Sequence, residues 1–245
     1  RMCVLVRLSS DEQRKKLMRE EGGCCALILA GGRSLRMGRE KALITADGET
    51  LLERAARFWK SSGLAERILV AAGTTEHLQR LGSLPEETEP VVDIFEDCGP
   101  MAGILSAFRQ TGAEILCVSA VDMPCLKREA AELLLKRMED DRARREEFFS
   151  KEQRRASGVM LHAGRHPEAA VYINDGRPEP LFGVYRRSIA EAAERLLRSG
   201  RRKMSDLLEE AETIYCPVPD SMREIFRNIN TPEDLQQLED CSGRK

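Results

Sequence analysis

Very little in this 245-residue chain points to a metal centre, a disulfide framework or a membrane. The three histidines, His77, His162 and His166, stand apart from any cysteine at zinc-ligand spacing, so each reads as a surface or packing residue. Eight cysteines occupy positions 3, 24, 25, 98, 117, 125, 216 and 241, and no two form a C-x-x-C pair. That scatter excludes a zinc finger and a stapled secreted scaffold, and fits a reducing cytoplasm. No apolar run approaches the roughly 18 residues of a membrane span. The short run Met2 to Val6 is too brief for the core of an export signal, and the charged stretch from Asp11 to Glu21 follows it.

An excess of one charge sign is missing as well. Lys and Arg number 39 against 41 Asp and Glu, a formal balance of −2, which speaks against a general nucleic-acid binder or a polybasic membrane protein. Any phosphate binding must be local. No internal repeat is evident, and a chain of this length forms one α/β domain by default. Residues 1–23 read as a charged leader, 24–240 as the single domain and 241–245 as a tail. Within the domain, 139–158 turns to Asp, Arg, Glu and Lys with little apolar periodicity, as a solvated helix extension or a loose loop would.

What is present is an alternation of apolar strands and amphipathic helices, the pattern of a mainly parallel sheet covered on both faces. Strands are expected at 25–30, 68–72, 91–92 and 115–121. A helix is expected from Thr50 to Ser61, with Trp59 on its core face and Gly63 as its stop, and another from Ser188 to Arg198. In such sheets ligands bind outside the carboxyl ends of the strands. The Gly31 loop, the Gly99 loop and Asp122 all fall there.

The densest signal follows the first strand: Leu29-Ala30-Gly31-Gly32-Arg33-Ser34-Leu35-Arg36-Met37-Gly38-Arg39-Glu40-Lys41. Glycines expose backbone N–H groups to an anion without an intervening side chain, and Arg36 and Lys41 supply opposite charge to a phosphate chain. The spacing is neither G-x-x-x-x-G-K-[ST] nor G-x-G-x-x-G. A second constellation, Gly99-Pro100-Met101-Ala102-Gly103, opens a helix with proline at its first position. Such a start is a simple cap or a nucleotide contact. Asp122, at the end of an apolar strand and followed by Met123-Pro124, reads equally as a helix N-cap and as a carboxylate with a chemical role. Near the C-terminus, Asn228-Ile229-Asn230-Thr231-Pro232-Glu233-Asp234 holds a conventional helix start. It also holds two amides that an extended segment places on one side, opposite Ile229.

These motifs, in this order, resemble those of the nucleotidyltransferases, L-A-G-G-x-S-x-R-M-G-x-x-K first among them. They are most similar to those of the molybdenum cofactor guanylyltransferases. The resemblance spans roughly residues 24–238. It implies a three-layer α/β/α, Rossmann-like fold with a mainly parallel mixed sheet, and transfer of GMP from Mg·GTP to molybdopterin or Mo-molybdopterin with release of pyrophosphate. It implies catalytic roles for Arg36, Lys41 and Asp122, with Asp122 holding Mg²⁺. Nucleotide contacts fall to Leu29, Ala30, Gly31, Gly32, Lys41, Asp93, Gly99, Gly103 and Asp122, with open nucleotide volume over Gly103. Acceptor contacts fall to Asn228, Asn230, Pro180 and Arg201, although a basic turn past a helix end also suits the helix dipole. Glu40 stands where the family often has aspartate. GTP and molybdopterin are then the partners, with transient contact to molybdopterin-delivery proteins or recipient molybdoenzymes, and no nucleic acid or membrane. A cytidylyltransferase of the same fold is the sister reading, though those relatives more often carry L-A-A-G. A non-catalytic nucleotide-binding domain and a plain interaction protein are further alternatives.

Overall fold

The computed structural model describes residues 23–31, 40–155, 166–229 and 234, without the side chains of 142–155. The loop residues Gly32 to Arg39, which include Arg36, lie outside the described residues, as do Asn230, residues 1–22 of the 1–23 leader and the 241–245 tail.

Seven strands form one sheet in the order β5-β4-β1-β6-β8-β7-β9. Strand β1 is Cys24–Leu29, β4 is Arg67–Ala71, β5 is Thr88–Val91 and β6 is Ile115–Ala120. The remaining strands are β7 (Ala169–Asn174), β8 (Arg177–Arg186) and β9 (Thr213–Pro217). Neighbours pair in parallel except at β8, which runs against both β6 and β7. The sheet is therefore mixed and mainly parallel, as the alternating pattern implies.

Strand β1 is buried over its full length. Because successive side chains point to opposite faces, Cys24, Ala26 and Ile28 join one hydrophobic cluster while Cys25, Leu27 and Leu29 join the other. Helices α1 (Leu51–Ser62) and α4 (Arg128–Arg155) cover the first face. The second is covered by α3 (Pro100–Thr111), α5 (Ile189–Arg198) and α6 (Met204–Glu210). The short α2 (Thr75–Leu81) follows β4, and a two-stranded hairpin of β2 (Thr45–Ala46) and β3 (Glu49–Thr50) precedes α1.

Local chemistry sets the helix ends. Thr50 and Glu53 form a reciprocal capping box at the start of α1, and Gly63 ends it in the left-handed region at φ 56°. Trp59 is in the core, where its indole N–H donates to the Ser119 hydroxyl at 2.9 Å, so its burial leaves no orphan donor. The charged run from 139 continues α4 as far as Arg155. No described helix is long and apolar enough to cross a membrane. The described cysteines 24, 25, 98, 117, 125 and 216 are all free thiols.

Candidate active site

The carboxyl ends of β5, β4, β1 and β6 converge with the neighbouring loops on one edge of the sheet. The chain leaves β1 through Ala30, whose N–H donates to the Ala71 carbonyl at 2.9 Å, while the Leu29 carbonyl accepts from Val121 N–H at 3.1 Å. Gly31 lies against the Ala72–Gly73 backbone, which a side chain at Gly31 would just touch. The chain becomes describable again at Glu40 and enters a single 3-10 turn, Lys41–Leu43.

Lys41 is fixed by what surrounds it. Ala42 and Ile44 are buried, so the backbone on its far side cannot shift without opening the core. Its ammonium donates to Asp122 Oδ2 at 2.8 Å, with the two side chains 25% and 17% exposed. This pair joins the end of the glycine-rich loop to the end of β6, 81 residues apart in sequence. The N-cap reading of Asp122 is not met, since α4 begins only at Arg128. Its backbone is committed too, because the Asp122 carbonyl accepts from Ile229 N–H at 2.9 Å. Ile229 is buried and Asn228 exposed, so the alternation read from sequence delivers Asn228 to solvent beside Asp122. An aromatic cluster of Tyr172, Phe182 and Phe226 supports the chain just before Asn228.

Asp93 marks the β5 end of the same edge. Its N–H donates to the Gly73 carbonyl at 3.1 Å, but the residue is only 8% exposed and Oδ1 has no hydrogen-bond partner among the described residues. Burial pushes its carboxyl up to about 7. A buried acceptor without a donor costs free energy that a ligand can recover. Asp93 and Asp122 stand three strand spacings apart, about 14 Å, so they cannot share one ion.

The expectation of open nucleotide volume over Gly103 is not met. A Cβ there would lie 3.1 Å from Leu29 Cδ2, 3.2 Å from the Ala71 methyl and 3.6 Å from Asp93 Oδ1. The missing side chain instead lets the first turn of α3 press onto β1 and β4 beneath Asp93. Gly99 precedes that helix at φ 74°, a conformation that suits glycine. The loop between Asp93 and Gly99 is held from outside at three points. Ser106 Oγ accepts from Ile94 N–H at 2.8 Å, the Arg198 guanidinium sits over the Phe95 ring at 5.8 Å, and Arg202 donates to the Asp97 carbonyl at 3.2 Å.

The acceptor-side residues separate. Phe182 pairs with Ser119, so Pro180, two residues earlier on the antiparallel β8, reaches past the end of β6 toward Asp122. Its carbonyl is held by the Tyr185 hydroxyl at 2.6 Å. Arg201 is turned instead to Asp206 and Glu210, each at 3.1 Å, so its guanidinium is satisfied by nearby carboxylates. Two residues that sequence reasoning set aside belong to this edge. Glu40 reads there as a mild substitution, and His77 as an isolated surface or packing residue. His77 is buried, with Nε2 2.7 Å from Glu40 Oε2. No linear motif links positions 40 and 77; only the passage of β4 into α2 brings them together. His166 is exposed, and His162 lies outside the described residues.

A glycine-rich segment, a lysine at its end and a carboxylate at the end of β6 are the features that the sequence motifs lead one to expect of a nucleotide site. The family model of the MobA-like NTP transferase domain matches residues 26–214. The chain belongs to that family. It is similar to a probable molybdenum cofactor guanylyltransferase from Opitutus terrae, 31% identical over 84% of this chain and 90% of the relative. A protein of the same name from Bacillus subtilis is 29% identical over 89% of this chain and 95% of its own length. Among solved structures it resembles molybdopterin-guanine dinucleotide biosynthesis protein A from Archaeoglobus fulgidus. That match has a TM-score of 0.70 and 28% identity, covering 90% of this chain and 100% of the other. The MobA-like chain is accordingly a nucleotidyltransferase.

Proposed function

We propose that this nucleotidyltransferase moves GMP from GTP to the terminal phosphate of molybdopterin, or of its molybdenum-loaded form, releasing pyrophosphate. The observation that carries the reading is the Lys41–Asp122 pair at 2.8 Å, which joins the residue after the glycine-rich segment to the end of β6 in a chain whose relatives bear the guanylyltransferase name. The attacking phosphate is already anionic, so the reaction needs no nucleophile triad. It needs two polyanions aligned in line at the α-phosphorus and their repulsion neutralised.

In this reading Leu29, Ala30, Gly31 and Gly32 present backbone to the triphosphate, while Lys41 and Arg36 supply its counter-charge. Gly99 and Gly103 shape the wall on which Asp93 rests, and Asp93 Oδ1 accepts from an N–H or O–H donor of the guanosine. Asn228, Asn230 and Pro180 border the acceptor, with Arg201 reaching it only by leaving its acidic partners. The residues fit Mg²⁺: a half-buried carboxylate oxygen beside phosphate oxygens is the hard, sparse donor set that ion takes. Asp122 would hold it, and the bound ion would neutralise charge on the triphosphate. The described free thiols are consistent with a reducing cytoplasm.

GTP labelled at the α-phosphate, incubated with the protein, Mg²⁺ and molybdopterin, should transfer its label to an acceptor product of dinucleotide mass. Label recovered only in GMP or GDP would count against the proposal.

A further inference from the structure

Glu40 occupies the N-cap position of the turn that carries Lys41, yet its side chain makes no capping hydrogen bond. Aspartate is the acid that ordinarily accepts from a turn's own N–H groups at that position, and the longer glutamate reaches beyond it. Here both carboxylate oxygens leave the turn. Oε1 accepts from Arg80 Nε at 2.8 Å, and Oε2 lies 2.7 Å from His77 Nε2, both partners belonging to α2. The three differ in exposure: His77 is buried at 8%, Glu40 is 23% exposed and Arg80 60%. At the N-terminal end of α2, the Thr74 hydroxyl accepts from the His77 N–H at 3.1 Å. That cap follows the Ala72–Gly73 backbone against which Gly31 rests.

Two consequences follow for the loop. One is mechanical: the residue before Lys41 is tied to α2, the residue after it is buried, and the ammonium of the residue between them donates to Asp122. The other is electrostatic, because a carboxylate adjacent to a triphosphate-binding lysine would repel the ligand if it faced the loop. Arg80 turns that charge outward and neutralises it, while His77 Nε2 stands close to the other oxygen on the buried side.

We infer that Glu40, His77 and Arg80 form a positioning network that sets Lys41 for nucleotidyl transfer, acting through the lysine and not on the nucleotide. The inference rests on the proposal that Lys41 serves a triphosphate. Arg80 gives the cleanest test, since an exposed ion pair adds little to folding. Arg80→Ala should keep the wild-type melting temperature within a few degrees. It should lower kcat by about tenfold with a smaller change in KM for the nucleotide, since a misplacement of about 1 Å in an aligned site can cost about 10²-fold. Arg80→Lys, which retains a cation, should restore most of the rate, and Glu40→Gln should resemble Arg80→Ala. In the double variant Glu40→Gln/Arg80→Ala the losses should fall well short of multiplying, because both remove one contact.

The comparison uses whichever nucleoside triphosphate the wild type turns over with molybdopterin, so a wrong nucleotide leaves the test intact. An inactive wild type would overturn the functional reading and this one together. With an active wild type, two results overturn the network alone. One is a kcat within twofold of wild type for both Arg80→Ala and Glu40→Gln. The other is a loss that follows the melting temperature and is not restored by Arg80→Lys.

Discussion

Lys41 and Asp122 face each other across the mouth of the sheet, and their separate replacement distinguishes chemistry from folding. Lys41→Ala should leave the urea midpoint nearly unchanged, since the pair is part-exposed, while transfer falls by about 10²–10³, the usual cost of losing one preorganised electrostatic partner. Asp122→Asn keeps the shape and removes the charge. Its rate should fall as far, and its magnesium titration should flatten. An unchanged titration would leave Asp122 as Lys41's partner only. Asp93 yields a pH prediction. Its carboxyl is raised to about 7, above its unfolded value, so the native state holds the proton more tightly than the unfolded chain does. The stability from that proton is fully present below about pH 4 and is lost as pH rises through 7. Nucleotide-free Asp93→Asn should therefore melt higher than wild type at pH 8, with the gap closing toward pH 4, yet bind GTP more weakly. Equal melting curves at pH 8 would mean that Asp93 carries no such burden.

At the scale of elements, α3 shows where local reading succeeds and where it stops. Proline at the first position, glycine before it and the apolar run are visible in sequence, and the helix follows from them. What Gly103 faces is not visible, because its neighbours Leu29 and Ala71 come from β1 and β4. Gly103→Leu should accordingly destabilise the fold by about 1–3 kcal/mol or more through overpacking. A folded variant with normal stability and no GTP protection in a melt would restore the picture of an open glycine. The same reason hid Glu40 from His77, and gave Arg201 an acceptor role when its neighbours in α6 already satisfy it. The capping box of α1 and its left-handed Gly63 lie within 14 residues of one another, and that helix was legible to within a residue at each end.

Over the whole molecule, the order of strands decides the site. The sequence pattern implies a mainly parallel sheet with ligands at strand ends, and the observed order sets β4, β1 and β6 side by side there. The reversal at β8 was less legible, because an antiparallel strand buried between two others has the same apolar character as a parallel one. That reversal brings Pro180 past the end of β6, and the Ile229 N–H to Asp122 bond brings Asn228 back from the far end of the chain. In the proposed reading, nucleotide and acceptor sides come from separate halves of one sheet, with the Lys41–Asp122 pair near their seam. The claim that this seam guanylylates a pterin phosphate is tested most directly by pyrophosphate release. The protein is incubated with Mg²⁺, molybdopterin and each of GTP, CTP, ATP and UTP in turn. Release that depends on both molybdopterin and GTP, with the other three near background, is the predicted result; equal release from CTP and GTP would contradict it.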